Sequence, residues 1–176
     1  MSQTTLNTYA TPSTFTPDQP TLKSKVRAYI THCADTYSLL EDIPVESITI
    51  EINPRLKRAA GIANYNKKTG ALSIQIAEGA YDSWGWGEDI EGVIRHELAH
   101  IVEYVTVGDG GHGARFKRYA DALDAPLSCK QFTEYTYTLV CEECGDFVAG
   151  RYKKSKVVTQ RRKYQSGCCK APLVLD

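Results

Sequence analysis

The chain has 176 residues, of which 42% are hydrophobic and 24% are charged, a composition that excludes disordered and fibrous proteins. Lys and Arg balance Asp and Glu at 21 each, and no apolar run approaches the roughly 20 residues of a helical membrane span. The length is sufficient for one ordinary domain and a small appendage.

The N-terminal segment has a different composition from the rest of the chain. Residues 1–20 are rich in Thr, Ser and Pro and carry a single charged side chain, which predicts a flexible arm. The arm has neither the basic start nor the apolar run of a secretory signal. We therefore expect an intracellular, cytoplasmic protein with no membrane partner.

The next part of the chain predicts one helix followed by three strands. Apolar residues at helical spacing predict a helix over 22–40. Alternation of apolar and polar residues predicts a strand over 47–52, and strand-like runs at 58–65 and 71–76 flank the polar turn 66–70. We expect a small antiparallel sheet packed on helices, which is an α+β arrangement.

A second helix carries the strongest signal in the sequence. Asp89 can cap it, apolar residues recur at helical spacing as far as Val107, and the glycines of 108–111 end it. His96 and His100 lie one turn apart on the same side of this helix. Both imidazoles can therefore reach one Zn²⁺ at about 2.0–2.1 Å.

A third ligand and a general base lie close to this pair. A catalytic zinc needs three protein ligands and an open position. His112 is the predicted third ligand, because the glycine-containing loop before it can turn the chain back and Gly113 permits close backbone approach. Glu97, beside the first His, can accept a proton from the attacking water without binding the ion. Another helix is predicted to follow, over 113–123.

Simpler explanations exist for parts of this pattern. An HExxH sequence arises by chance in about one chain of this length in a hundred. Tyr104 and Arg115 lie near the motif and are candidate donors to a developing oxyanion. Packing for Tyr104 and a solvated helix position for Arg115 are the simpler interpretations, so the sequence assigns no oxyanion donor.

Several segments together resemble one protein family. Residues 93–100 read VIRHELAH, residues 112–116 read HGARF, and residues 58–63 read RAAGIA. Together with CEECG at 141–145, they resemble the SprT-like family, which includes the Spartan proteases. The resemblance extends over about residues 22–176.

The resemblance implies both a fold and an activity. It implies a zincin-like metalloprotease domain over 21–130, in which His96, His100 and His112 bind the catalytic Zn²⁺ and Glu97 is the general base. Spartan-type members cleave proteins that are covalently trapped on DNA. The resemblance therefore also implies protein substrates and a DNA partner, single-stranded DNA included, for a protein associated with DNA or the nucleoid.

The C-terminal residues 134–176 predict a zinc-ribbon-like β appendage. In a reducing compartment, clustered cysteines favour a bound metal over disulfides. The family usually has a second CxxC pair, whereas here two adjacent cysteines follow and Ser166 lies where the missing cysteine would be. Adjacent residues reach one tetrahedral ion less easily, so a structural zinc and a metal-free ribbon both remain open. The four cysteines are Cys141, Cys144, Cys168 and Cys169.

The appendage is also basic. Residues 151–176 carry eight Lys/Arg and one Asp, whereas residues 1–150 carry thirteen Lys/Arg and twenty Asp/Glu. Cations with interleaved tyrosines favour contact with phosphates and unpaired bases, although a solvated hairpin between the cysteine pairs is the alternative. The predicted nucleic-acid-binding residues are Arg151, Lys153, Lys154, Lys156, Arg161, Arg162 and Lys163.

Three functions fit these features. The first is a DNA-associated zinc metallopeptidase that acts on DNA-bound or DNA-crosslinked proteins. The second is a non-catalytic, zinc-containing nucleic-acid-binding protein, and the third is a peptidase whose ribbon binds proteins. Glu97 favours an enzyme because a purely structural site needs no base, and salt-dependent DNA binding separates the first function from the third.

Overall fold

The computed structural model describes residues 20–176, so the arm predicted over 1–20 lies outside the described residues except for its last position. None of the helices within 20–176 has the length and apolarity required to cross a membrane. The predicted division into a domain over 21–130 and an appendage over 134–176 stays a prediction. Two separate sheets nevertheless lie on either side of this division.

Residues 20–130 contain four α-helices and three strands, and the α+β prediction is confirmed. The first helix ends at Thr36, because Tyr37 is extended and a 3₁₀ turn follows at Ser38–Leu40. A helix over Glu78–Trp84 directly follows the strand Leu72–Ala77. It was not predicted, since only one of its seven residues is buried and it has no apolar repeat. The elements are α1 (Leu22–Thr36), β1 (Thr49–Asn53), β2 (Gly61–Tyr65), β3 (Leu72–Ala77), α2 (Glu78–Trp84), α3 (Glu88–Val107) and α4 (Ala114–Ala122).

The first sheet is mixed, with the strand order β1-β3-β2. The predicted hairpin is confirmed: β2 and β3 are antiparallel, and the Asn66 carbonyl accepts the Gly70 N–H at 2.8 Å. The prediction of a wholly antiparallel sheet is wrong, because β1 runs parallel to β3 with Ile50 opposite Ile74. Alternation indicates which face of a strand is buried, but it does not indicate strand direction.

Helix α3 passes through the core beside this sheet. Ile90, Ile94, Leu98 and Ile101 are completely buried, and burial of each such side chain contributes about 1.5–3 kcal/mol. The predicted cap at Asp89 is wrong by two positions, because Gly87 precedes the first helical residue and the Asp89 side chain pairs with Lys130 instead. The helix ends at Val107 as predicted, where Gly108 adopts φ +71.

The C-terminal part is a small three-stranded sheet, so the predicted β appendage is confirmed. Its central strand pairs antiparallel with both neighbours, and its core consists of Leu139, Val158 and Leu173. The Thr133 hydroxyl donates to the Lys57 carbonyl at 2.7 Å, which holds the connecting segment against the loop before β2. The elements are β4 (Tyr137–Cys141), β5 (Phe147–Arg151), α5 (Lys156–Thr159) and β6 (Leu173–Leu175).

Candidate active site

Three histidine rings converge where α3 meets the loop before α4. The ring centroids of His96 and His100 are 5.0 Å apart, and the His112 ring lies 5.2 Å from the first and 4.8 Å from the second. One ring nitrogen of each residue lies within 4.8 Å of the other two. The helix supplies two rings from one face, and the loop returns the third to them. The structure thus brings together the three residues that the sequence predicted as ligands.

The protonation state of the rings suits a cation. Burial lowers the pKa of His96, and it lowers the pKa of His100 to about 4, so both rings are neutral at pH 7. Neutral imidazole is the form that binds zinc. The Nδ1 atom of His96 lies 2.7 Å from the Pro126 carbonyl, which can only accept, so this nitrogen carries the proton. Its Nε2 atom therefore carries no proton and has a lone pair that a metal can take, and it lies 3.2 Å from Nε2 of His112.

The environment of His100 also fits a metal site. Its Nδ1 atom is buried and has no hydrogen-bond partner among residues 20–176. A buried polar atom without a partner is costly in a folded protein, and an ion bound by this nitrogen would offset that cost. The ring stacks on Phe116 at 4.3 Å, which fixes its plane. The donor set, the neutral rings and this nitrogen together fit a zinc ion.

Glu97 lies beside the histidines and faces β2. Its side chain is buried, and burial raises the pKa of Glu97 to about 7, although a hydrogen bond from the Ala63 backbone opposes the shift. A Cβ atom on Gly61 would lie 2.7 Å from both Cγ and Oε1 of Glu97, so the carboxylate rests directly on the glycine backbone. This role of Gly61 was not predicted, although a glycine inside a strand is a known signal of close approach.

An open cleft of about 640 Å³ exposes these groups. Strand β2 is an edge strand of its sheet, and it borders the cleft opposite the histidines. Tyr104 lines the cleft and stacks between Tyr65 and His100, at 5.9 and 6.2 Å. Cys129 also lines it and was not foreseen, whereas Arg115 is exposed and is not part of the lining.

The cysteines of the appendage form a second candidate metal centre. The four Sγ atoms all lie within 4.8 Å of one another. The adjacency of Cys168 and Cys169 in the chain therefore does not prevent both from approaching the first cysteine pair. The Sγ atoms of Cys144 and Cys168 are 3.4 Å apart. Ser166 is buried, and its hydroxyl accepts a hydrogen bond from the Cys141 thiol at 3.2 Å, so it lies beside the cluster.

Two of the seven predicted nucleic-acid-binding residues line a second cleft. Arg151 and Lys153 line this second cleft of about 650 Å³, which shares Arg58 and Cys129 with the histidine cleft. Arg162 instead pairs with Glu142 at 2.8 Å. The remaining predicted residues, Lys154, Lys156, Arg161 and Lys163, do not line this second cleft.

One comparison with known proteins identifies the family of this chain. The profile of the SprT-like family matches residues 25–137, which include the three histidines, Glu97 and Gly61 but end at the first residue of β4. The crystal structure of the metallopeptidase zymogen of Pyrococcus abyssi abylysin is similar at 22% identity, covering 55% of this chain and 77% of that chain, with a TM-score of 0.38. No curated protein matches the chain.

Proposed function

This chain belongs to the SprT-like family, and from its site we propose that it is a zinc-dependent metallopeptidase that acts on DNA-bound or DNA-crosslinked proteins. The observation that carries the proposal is the convergence of three imidazoles beside a buried carboxylate in an open cleft. A purely structural metal site has no need of a carboxylate that stays outside the ligand set.

In this proposal His96, His100 and His112 hold the ion and Glu97 is the general base. Zn²⁺ bound there supplies Lewis acidity, which lowers the pKa of water and polarises the scissile carbonyl. Glu97 takes the proton of the attacking water and passes it to the leaving amine. Burial raises the pKa of Glu97, which makes its carboxylate a stronger base than an exposed one. The Ala63 backbone orients the carboxylate for these transfers.

The position of β2 supports a protein substrate. The outer edge of this strand borders the cleft, and an unpaired strand edge offers backbone N–H and C=O groups. An extended peptide can pair with such an edge, which would carry its backbone past the histidines and Glu97. The cleft is open, which suits a chain that enters from a larger protein.

The second cleft supports a DNA partner. Arg58, Arg151 and Lys153 offer positive charge there, and Tyr135 and Tyr152 line the same cleft with ring centroids 5.1 Å apart. Cations bind phosphates and aromatic rings stack on unpaired bases, so single-stranded DNA fits this surface. Because the two clefts adjoin, a protein crosslinked to that DNA would lie near the histidines. We place the protein on cytoplasmic or nucleoid DNA.

We further propose a structural zinc in the ribbon. Four thiols within reach of one another match the tetrahedral Cys₄ set that structural zinc prefers. Such an ion would stabilise a sheet whose own core has only three buried apolar side chains. The wild-type protein should therefore contain two zinc ions per chain.

The test of the catalytic proposal combines metal content with cleavage of a protein crosslinked to single-stranded DNA. Wild type should cleave, whereas Glu97→Gln should retain zinc and lose hydrolysis, because an amide cannot accept the proton. Undiminished cleavage by Glu97→Gln would remove Glu97 from the mechanism. Equal cleavage of the protein substrate with and without attached DNA would still support a peptidase, but it would contradict the proposed role of DNA.

The DNA surface is tested by the salt dependence of binding to single-stranded DNA. The double variant Arg151→Ala/Lys153→Ala should bind more weakly, and the slope of log affinity against log salt should be shallower by about 0.7 for each lost phosphate contact. The control Lys67→Ala/Lys68→Ala removes the same charge from the β2–β3 turn and should bind as wild type does. Equal losses in both double variants would contradict the proposed surface.

A further inference from the structure

His112 follows a loop, whereas His96 and His100 both lie on a regular helix. His96 and His100 are buried on a long helix, whereas His112 is exposed and follows a loop with three glycines. A glycine-rich loop has many accessible conformations, and ordering it costs conformational entropy. The zinc site that we propose above therefore depends on whatever fixes this loop.

One buried acidic side chain contacts the loop directly. Glu103 lies on the same helix, three residues after His100, and only 6% of its surface is exposed. Its Oε2 atom accepts the Gly111 N–H at 3.0 Å, next to His112 in the chain. No cation pairs with Glu103 among residues 20–176. A buried carboxylate whose polar partner is a loop amide is well suited to fixing that loop.

The adjacent helix residue supports the same loop by packing. A Cβ atom on Gly110 would lie 2.3 Å from Cε1 of Tyr104, so the loop backbone rests on the tyrosine ring. Tyr104 itself stacks on His100. The ring of Tyr104 thus packs against the loop, and the side chain of Glu103 accepts a hydrogen bond from it. A hydrogen bond to an ionised acceptor is stronger than one to a neutral group.

We propose that Glu103 is a positioning residue for the catalytic metal: it holds the loop so that His112 stays within reach of the ion. The inference rests on the proposed zinc site, and it assigns Glu103 no contact with ion or substrate. If the loop is released, the state that can bind zinc is populated less, and the apparent affinity falls by the same factor. Loss of such an outer contact typically weakens metal binding by about 10–100-fold.

The test measures the zinc dissociation constant of the catalytic site in the full chain, by competition with a chromophoric chelator. Glu103→Ala should weaken binding by about 10–100-fold, and Glu103→Gln should retain most of the affinity because its amide oxygen still accepts from Gly111. Glu91→Ala is the matched control, since Glu91 lies on the same helix and accepts a hydrogen bond from Trp86 instead. It should leave zinc affinity unchanged. Wild-type affinity in Glu103→Ala would overturn the inference.

A second comparison shows whether Glu103 acts through His112. In a His112→Ala background, adding Glu103→Ala should have no further effect on zinc affinity, because the ligand it positions is already absent. An undiminished effect in that background would overturn the inference. A wild-type protein with no zinc affinity at the histidines would instead refute the proposed function.

Amide exchange keeps the inference testable if Glu103→Ala does not fold. In the metal-free wild type the Gly111 amide should be protected from hydrogen exchange, and Glu103→Gln should exchange it faster, since the hydrogen bond to a neutral acceptor is weaker. Exchange of the wild-type Gly111 amide at the rate of an unprotected peptide would overturn the inference.

Discussion

Gly61 offers a perturbation of the proposed catalytic base, Glu97, that leaves the proposed metal ligands unsubstituted. It is the first residue of β2, and Glu97 rests against its backbone. A methyl group there would lie 2.7 Å from Cγ and Oε1 of Glu97 and 2.7 Å from Cγ1 of Val93. The three nearest atoms it would meet therefore belong to Val93 and Glu97 and to none of the three histidines.

These distances give the expected size of the effect of Gly61→Ala. Carbon atoms make favourable contacts at about 3.5–4.0 Å, so Gly61→Ala introduces about 1 Å of overlap. Val93 is buried and cannot move aside, so either β2 retreats or the Glu97 carboxylate is displaced. Overpacking of this kind costs about 1–3 kcal/mol of unfolding free energy. Displacement of a catalytic group by about 1 Å costs about 100-fold in rate.

The assay compares kcat/KM, zinc content and Tm for wild type, Gly61→Ala and Gly70→Ala. Gly70 has φ +72 and open space around its Cβ position, so Ala there costs about 1–2 kcal/mol through backbone strain alone. We expect both variants to lose stability and retain zinc, but only Gly61→Ala to lose kcat/KM by about 100-fold. Wild-type kcat/KM in Gly61→Ala, or equal losses in both, would refute the reasoning.

Three further predictions concern the metal centres and the cleft. His112→Ala should lose or loosen the catalytic zinc because only two ring ligands remain, and full zinc retention by elemental analysis would indicate a different third ligand. Cys144→Ser should lower zinc content by one ion per chain and lower Tm while the histidine site keeps its metal; unchanged zinc content would support a metal-free ribbon. Tyr104→Phe should keep its ring stack and retain kcat/KM within about threefold, whereas a loss of about 100-fold or more would assign its hydroxyl to the oxyanion.

The parts of the site that the sequence predicted are those set by short-range geometry. His96 and Glu97 are neighbours on one helix and His100 lies one turn further on, so their relation follows from helical periodicity alone. The glycines after Val107 indicated where the helix ends and the chain turns, and they also made the return of His112 plausible. The hairpin between β2 and β3 followed from its Asn-to-Gly turn in the same way.

The parts that could not be predicted depend on contacts between distant segments. The parallel pairing of β1 with β3 requires β2 to cross to the far edge, which no local pattern encodes. The contacts of Gly61 with Glu97 and of Pro126 with His96 arise only when the strand and a later loop meet α3. The convergence of Cys168 and Cys169 on the first cysteine pair likewise depends on how the ribbon folds.

In the proposed active site, three imidazoles bind one zinc ion beside Glu97. A crystal structure of the zinc-loaded protein, with anomalous data collected at the zinc absorption edge, tests it most directly. We expect an anomalous peak about 2.0–2.1 Å from one ring nitrogen of each of His96, His100 and His112. A zinc-loaded crystal with no peak among these rings, or with His112 turned away from the ion, would contradict the claim.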